Sequence, residues 1–240
     1  MKNLILTTAA LALAAGMSLA DTVRLGTEGA YPPYNFINDK GEIDGFEREL
    51  GDELCKRAEL TCEWVKNDWD SIIPNLVSGN YDVIIAGMSI TDERDQVIDF
   101  TQNYIPPASS AYVGLSADAN TTTGIISAQT ATIQAGYIAE GGKATLLEFA
   151  TPEETVAAVR SGEADAVFAD KDYLAPIVAD SSDLAFAGEE VMLGGGVGMG
   201  LRESDTELRD KFDAAITSVK ADGTLNTMIK KWFGEDAATY

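Results

Sequence analysis

Two stretches of this chain, SIIPNLVSGNYDVIIAG (Ser71–Gly87) and ETVAAVRSGEADAVFAD (Glu154–Asp170), run in step without a gap. Each reads as a helix, a Ser-Gly stop, two residues, an Asp, and a buried strand that ends in Ala plus one further residue. Two origins fit: convergent helix-turn-strand chemistry, or a chain made of two similarly built α/β lobes. In the second case Gly87 and Asp170 occupy matching carboxyl ends of two strands, the place where open α/β sheets bind ligands. The two strand ends then face each other across a cleft.

The rest of the chain alternates in the same way. VRLGT, a helix from Phe46 to about Ala58, CEWV, a short helix around Ile72 to Val77, DVIIA and finally AVFA predict an α/β fold with largely parallel strands. In IIAGMSITDER the strand runs into small residues and a lone serine, and a helix is then expected to begin whose first turn carries Arg94. Near the end, Ser204 and Glu207 match a capping box, Leu208, Phe212, Ala215 and Val219 share one helical face, and Gly223 marks a stop before TLNTMIKKWF. The proline-rich YIPPASS and the glycine run LGGGVGMG bracket an inner segment. They predict one lobe from 21–107 plus 195–240 and another from 108–194, with hinge strands near 104–110 and 190–197. The glycine run contains neither G-x-G-x-x-G nor a Walker A sequence, so it gives no nucleotide site.

Composition prunes the functions open to such a fold. A net charge of -22 repels nucleic acid, and the absence of histidine removes Ser-His and Cys-His catalysis and histidine metal sites. No cofactor and no metal site is expected. Residues 1–20, MKNLILTTAALALAAGMSLA, have the layout of an export signal cleaved after Ala20, and no later run approaches the roughly 20 apolar residues of a membrane span. A periplasmic location follows. In that oxidising compartment Cys55 and Cys62, on either side of a helix end, are expected to form a structural disulfide.

GTEGAYPPYNF, DGFERELGDELCKRA, NDWDSIIPNL, DVIIAGMSITDERDQVIDFT, GMGLRESDTEL and ADGTLNTMIKKWFGE occur in that order. Together they resemble the polar amino-acid branch of the periplasmic solute-binding proteins that serve ABC importers. The resemblance covers nearly the whole mature chain. It implies a two-lobed periplasmic-binding-protein fold of type II, a hinge, and closure on one free amino acid that is handed to a membrane permease. A monomer is expected.

Read from its neighbours alone, Arg94 either balances Asp92, Glu93 and Asp95 on a solvated turn or grips a ligand. The resemblance implies the second: its planar fork takes the ligand α-carboxylate. Ser89 and Gly87 match positions that meet the amino and carboxylate groups, with Ala86 and Met88 in the same segment. Ala86 stands where serine is common. Asp170 matches the second-lobe carboxylate that pairs the α-ammonium, so a zwitterion would latch the lobes. Tyr31 and Trp69 match aromatics that sandwich the ligand side chain. Glu28, in a TEGAY context similar to arginine and opine receptors, matches an acid that meets a cationic side chain; it can equally hydrogen-bond its own loop. The resemblance matches IQAGYIAEGG to a carboxylate-binding loop in which Tyr137 supplies a backbone N–H, its bulk intrudes on the site, and Gly141-Gly142 cut the following helix short. Arginine, ornithine or lysine is the favoured ligand class. Two other functions sit on this scaffold: a periplasmic dehydratase-like enzyme, for which only Glu28 and Asp170 are candidate acids, and a sensor that feeds a separate receptor.

Overall fold

The structure is a computed structural model that describes residues 22–240. The export signal expected at 1–20 lies outside the described residues. In chain order the first unit runs β1 (Val23–Thr27), the short strands β2 (Ala30–Tyr31), β3 (Asn35–Ile37) and β4 (Ile43–Asp44), α1 (Phe46–Arg57), β5 (Cys62–Lys66), α2 (Ile72–Val77), β6 (Val83–Ile84) and β7 (Asp99–Phe100). The second runs β8 (Ser109–Gly114), β9 (Ile125–Gln129), α3 (Ile133–Gly141), β10 (Thr145–Phe149), α4 (Pro152–Ser161), β11 (Ala166–Asp170), α5 (Lys171–Ala179) and β12 (Ala185–Met192). The chain then returns to the first unit with β13 (Gly200–Leu201), α6 (Thr206–Ala221) and α7 (Thr224–Phe233).

The two sheets have the same plan. One has the order β5-β1-β6-β13-β7 and the other β10-β9-β11-β8-β12. In each, three parallel strands linked by two helices are followed by two antiparallel neighbours. The aligned stretches of sequence are therefore equivalent pieces of two lobes: α2-β6 in one and α4-β11 in the other.

Why these runs are continuously apolar follows from what covers them. Val83 faces Leu50, Phe212 and Ile216 on the α1/α6 side, whereas Ile84 faces Ile72, Leu76 and Tyr81 on the α2 side. In β11, Val167 packs with Val156 and Leu174 on the α4/α5 side, whereas Ala166 and Phe168 pack with Tyr112 and Ile138. A strand buried on both faces loses the polar alternation of a half-buried one.

Local chemistry sets the helix ends. Thr151 and Glu154 form a capping box with Pro152 in the first turn of α4, and α3 starts on Thr132, whose hydroxyl accepts the Ala135 N–H at 3.2 Å. The Cys55–Cys62 disulfide is formed and ties the end of α1 to the start of β5.

Two sequence expectations do not hold. The Ser204/Glu207 capping box is not made: α6 starts one residue later than that motif needs, and the Ser204 hydroxyl donates instead to the Asp205 carboxylate at 3.0 Å. After Ile84–Arg94 there is no α-helix but a single 3-10 turn, Arg94–Gln96. Thr91 begins it as a cap would, accepting the Arg94 N–H on Oγ1 at 3.2 Å, but Ile98 and Phe100 must reach the core and end it.

The two connections between lobes lie side by side. Val197 pairs with Ile105, N–H to carbonyl at 3.0 Å, and on its other side bridges to Ser89. Thus the second connection is hydrogen-bonded directly to the segment that follows β6.

Candidate functional site

A cleft between the lobes is lined from the first by Glu28, Tyr31, Trp69, Ala86, Gly87, Ser89 and Arg94, and from the second by Gln129, Thr132, Ile133, Gln134, Thr155 and Asp170, with Pro152, Phe168 and Ala169 completing it. Most of these lie in the last residues of a strand, in the loop that follows one, or at the start of a helix, where the parallel plan of each lobe puts its loops. Eight of the ten residues singled out in the sequence are brought together here.

Arg94 sits over the indole of Trp69, 5.4 Å from the ring centroid, and donates to the carbonyls of Ser89 at 2.8 Å and Ala131 at 3.1 Å. The second of these crosses from lobe to lobe. Burial lowers its pKa to about 10, and among the described residues no carboxylate forms a salt bridge with it. Its direct contacts are two carbonyl dipoles and the Trp69 ring, while the carboxylates of Asp170 and Glu93 act on its charge from beyond salt-bridge distance.

Asp170 ends β11. One carboxylate oxygen accepts the Tyr31 hydroxyl proton at 2.8 Å, again across the cleft, and the other accepts from Gln134 Nε2 at 2.8 Å. Burial pushes its pKa up to about 6; the Tyr31 bond and the Arg94 charge pull the other way. Glu28 is 4% exposed and accepts from Gln129 Nε2 at 2.7 Å, a third bond between lobes. Burial drives its pKa up to about 7, opposed by the Gln129 bond.

The aromatics differ in what they offer. Tyr31 is stacked on Tyr173 of α5 at 4.4 Å and 11°, so one ring face is taken by the second lobe. Trp69 carries the Arg94 guanidinium on one side, and its buried Nε1 has no hydrogen-bond partner in the protein.

The structure moves two residues out of the cleft. Met88 is 0% exposed and packs with Ile72, Leu76 and Ile98 in the core behind it, because the alternating backbone turns it away from Gly87 and Ser89. Tyr137 lies in the interior of α3, 41% exposed, its ring 5.7 Å from that of Phe168 and facing solvent grooves. Its bulk does not enter the site. The loop expected at IQAGYIAEGG is instead Gln129-Thr130-Ala131-Thr132, one segment earlier. Only the cut after Gly141 stands as expected, with Gly142 closing α3 at φ 61. Sequence reasoning missed Gln129, Thr132 and Gln134. A Thr before an apolar helix start is an N-cap signature, and it was the available signal.

Residues 23–235 match the family described as bacterial extracellular solute-binding proteins, family 3. The lysine/arginine/ornithine-binding periplasmic protein of Escherichia coli (strain K12) is 32% identical over 95% of this chain and 92% of its own. The octopine-binding periplasmic protein of Rhizobium meliloti is 31% identical, covering 97% of each chain. A crystal structure of a periplasmic His/Glu/Gln/Arg/opine family-binding protein from Silicibacter pomeroyi, in complex with lysine, superposes with a TM-score of 0.90. That protein is 81% identical, over 91% of this chain and 100% of its own. The chain belongs to the family 3 extracellular solute-binding proteins. The relatives it matches over nearly their whole length, one at 81% identity, are binding proteins, and this chain is a binding protein rather than an enzyme.

Proposed function

We propose that the chain is the periplasmic substrate-binding component of an amino-acid ABC importer, and that it takes a free cationic amino acid, lysine foremost, in the interlobe cleft. The observation that carries this is a charge count. The charged residues lining the cleft are Arg94, Asp170 and Glu28, one cation and two anions. A lysine-like zwitterion carries one anion and two cations, so each ligand charge has one partner.

In this reading the Arg94 fork takes the α-carboxylate, helped by the free N–H groups at the start of α3 beyond Thr132. Asp170 takes the α-ammonium together with the Gly87 carbonyl and the Ser89 hydroxyl. Tyr31 and Trp69 flank the aliphatic stem, Ala86 lies beside it, and Glu28 receives the distal cation with Gln129 behind it. Because Arg94 and Asp170 stand on different lobes, the ligand favours the closed form by as much as it binds that form better. The lobes run 22–107 plus 195–240 and 108–194, joined at the paired strands around Ile105 and Val197. Residues 1–20 direct export and are removed by cleavage after Ala20, and the loaded protein delivers its ligand to a membrane permease.

A thermal-shift panel tests the class of ligand. Lysine, arginine and ornithine raise the unfolding midpoint and norleucine, which lacks the distal charge, does so far less. Equal shifts for lysine and norleucine refute the charge match.

A further inference from the structure

Behind the cleft lies a charged group with no part in the ligand contacts above. Glu47, in the first turn of α1, is 0% exposed. Its Oε1 accepts the Gly87 N–H at 2.6 Å and also the hydroxyl proton of Tyr104, and its Oε2 accepts from Asn35 Nδ2 at 2.7 Å. Asn35 is itself 0% exposed, and its Oδ1 accepts the Gly29 N–H at 2.7 Å. That bond fixes which way round the Asn35 amide sits, and so which atom faces Glu47.

The network therefore ends on three places. Gly87 is held at φ +65, a left-handed conformation whose peptide orientation is set by the bond to Glu47. Gly29, at φ +71, is the residue after Glu28. Tyr104 stands where the first connection leaves the lobe, and its N–H donates to the Val197 carbonyl of the second at 2.7 Å. Resting on the reading of the cleft as an amino-acid site, we propose that Glu47 is a positioning residue. It locks the two ligand-bearing segments of the first lobe, Glu28-Gly29 and Ala86-Gly87, to each other and to the interlobe connection.

The chemistry requires a carboxylate. Every partner is used as a donor, so an acceptor is needed on both oxygens at once. A glutamine of the same shape turns its NH₂ either toward Asn35 Nδ2 or toward Gly87 and Tyr104, and in each orientation leaves a buried donor facing a donor. An aspartate keeps the acceptors but shortens the reach from α1.

The test compares wild type with Glu47→Gln and Asn35→Ala, using lysine as the probe in calorimetry and amide hydrogen exchange read by NMR. The expected result for Glu47→Gln is faster exchange at both Gly87 and Gly29, with lobe-2 amides unchanged and lysine affinity lower by about tenfold or more. Asn35→Ala speeds exchange at Gly29, leaves Gly87 slow, and lowers lysine affinity less. If Glu47→Gln does not fold, that split in Asn35→Ala decides. A folded Glu47→Gln with slow exchange at Gly87 and lysine affinity within about twofold of wild type overturns the proposal. Wild type that binds no lysine refutes the ligand reading instead, and the exchange pattern still decides the positioning role.

Discussion

The hydroxyl of Tyr31 in the first lobe donates a 2.8 Å hydrogen bond to Asp170 in the second, and its ring lies flat on Tyr173 at 4.4 Å. One side chain thus joins the lobes by a charge-assisted bond and by stacking, beside the position assigned to the α-ammonium. Tyr31→Phe keeps the stack and removes the bond. Hydrogen bonds to charged groups contribute roughly 1.5 to 3 kcal/mol, so lysine is expected to dissociate about tenfold faster or more from this variant in stopped-flow measurements. An unchanged dissociation rate means that the bond does not hold the closed form.

The pH dependence follows from the two raised carboxyls. Burial takes Glu28 from its ordinary 4.5 up to about 7 and Asp170 from 3.8 up to about 6. Below the ordinary values both folded and unfolded chains hold these protons, and no difference arises. As pH climbs from there to the raised values, the folded protein keeps protons that the unfolded chain has released, so the ligand-free fold loses stability. A cation beside the carboxylates favours their ionised forms. The lysine-induced rise in unfolding midpoint is therefore expected to grow between about pH 5 and about pH 8, and calorimetry should show proton release on binding within that window. Glu28→Gln removes the upper part of this dependence. It weakens lysine by about 1.5 to 3 kcal/mol while leaving glutamine nearly unaffected. Equal losses for both ligands give Glu28 a structural role through its bond to Gln129.

Gly196 tests the construction of the interlobe connections. Its φ is +91, and a Cβ there would lie 2.5 Å from the carbonyl oxygen of Ile105 and 2.7 Å from Asn103 Nδ2. Its own carbonyl accepts the Ile90 N–H at 2.9 Å, which ties the connection to the segment carrying Ser89. Gly196→Ala combines an unfavourable backbone conformation with a clash against backbone. The expected cost is about 1 to 3 kcal/mol or more, read as a fall of several degrees in the calorimetric midpoint. An unchanged midpoint contradicts the pairing described for this crossing.

Much of this architecture was legible because the inner strands β1, β6, β9 and β11 are largely buried, whereas the outer strands β5 and β10 are half-exposed. Burial of that kind writes VRLGT, DVIIA and AVFA as apolar runs that helix periodicity cannot explain. Asp170 stood out for the converse reason, as a charge placed directly after such a run, and Arg94 as a cation in the first turn of an expected helix, its ligand role supplied by the resemblance. What failed was local. Thr91 through Arg94 starts as a helix does, and only the demand of Ile98 and Phe100 for the core stops it after one turn. Two nearby segments, QTAT and QAGY, each offered a glutamine followed by small residues. The hydroxyl of Thr132 caps α3, so the first lies at the cleft and the second inside the helix. Met88 was misplaced because a two-residue period continues beyond the end of β6. Glu47 lies within the motif DGFERELGDELCKRA, but nothing there marks its role: an acid in the first turn of a helix ordinarily interacts with the helix dipole at the surface, and only the fold brings Asn35, Gly87 and Tyr104 around it.

In the proposed function Arg94, half-buried and without a carboxylate salt-bridge partner among the described residues, takes the carboxylate of a bound amino acid. Calorimetric titration of lysine into wild type and Arg94→Ala measures this directly, with circular dichroism to confirm that both are folded. Wild type is expected to bind and the folded variant to lose roughly a hundredfold or more, about 3 kcal/mol, through loss of a bidentate charge-assisted pair. A folded Arg94→Ala that binds lysine as tightly as wild type would contradict that role.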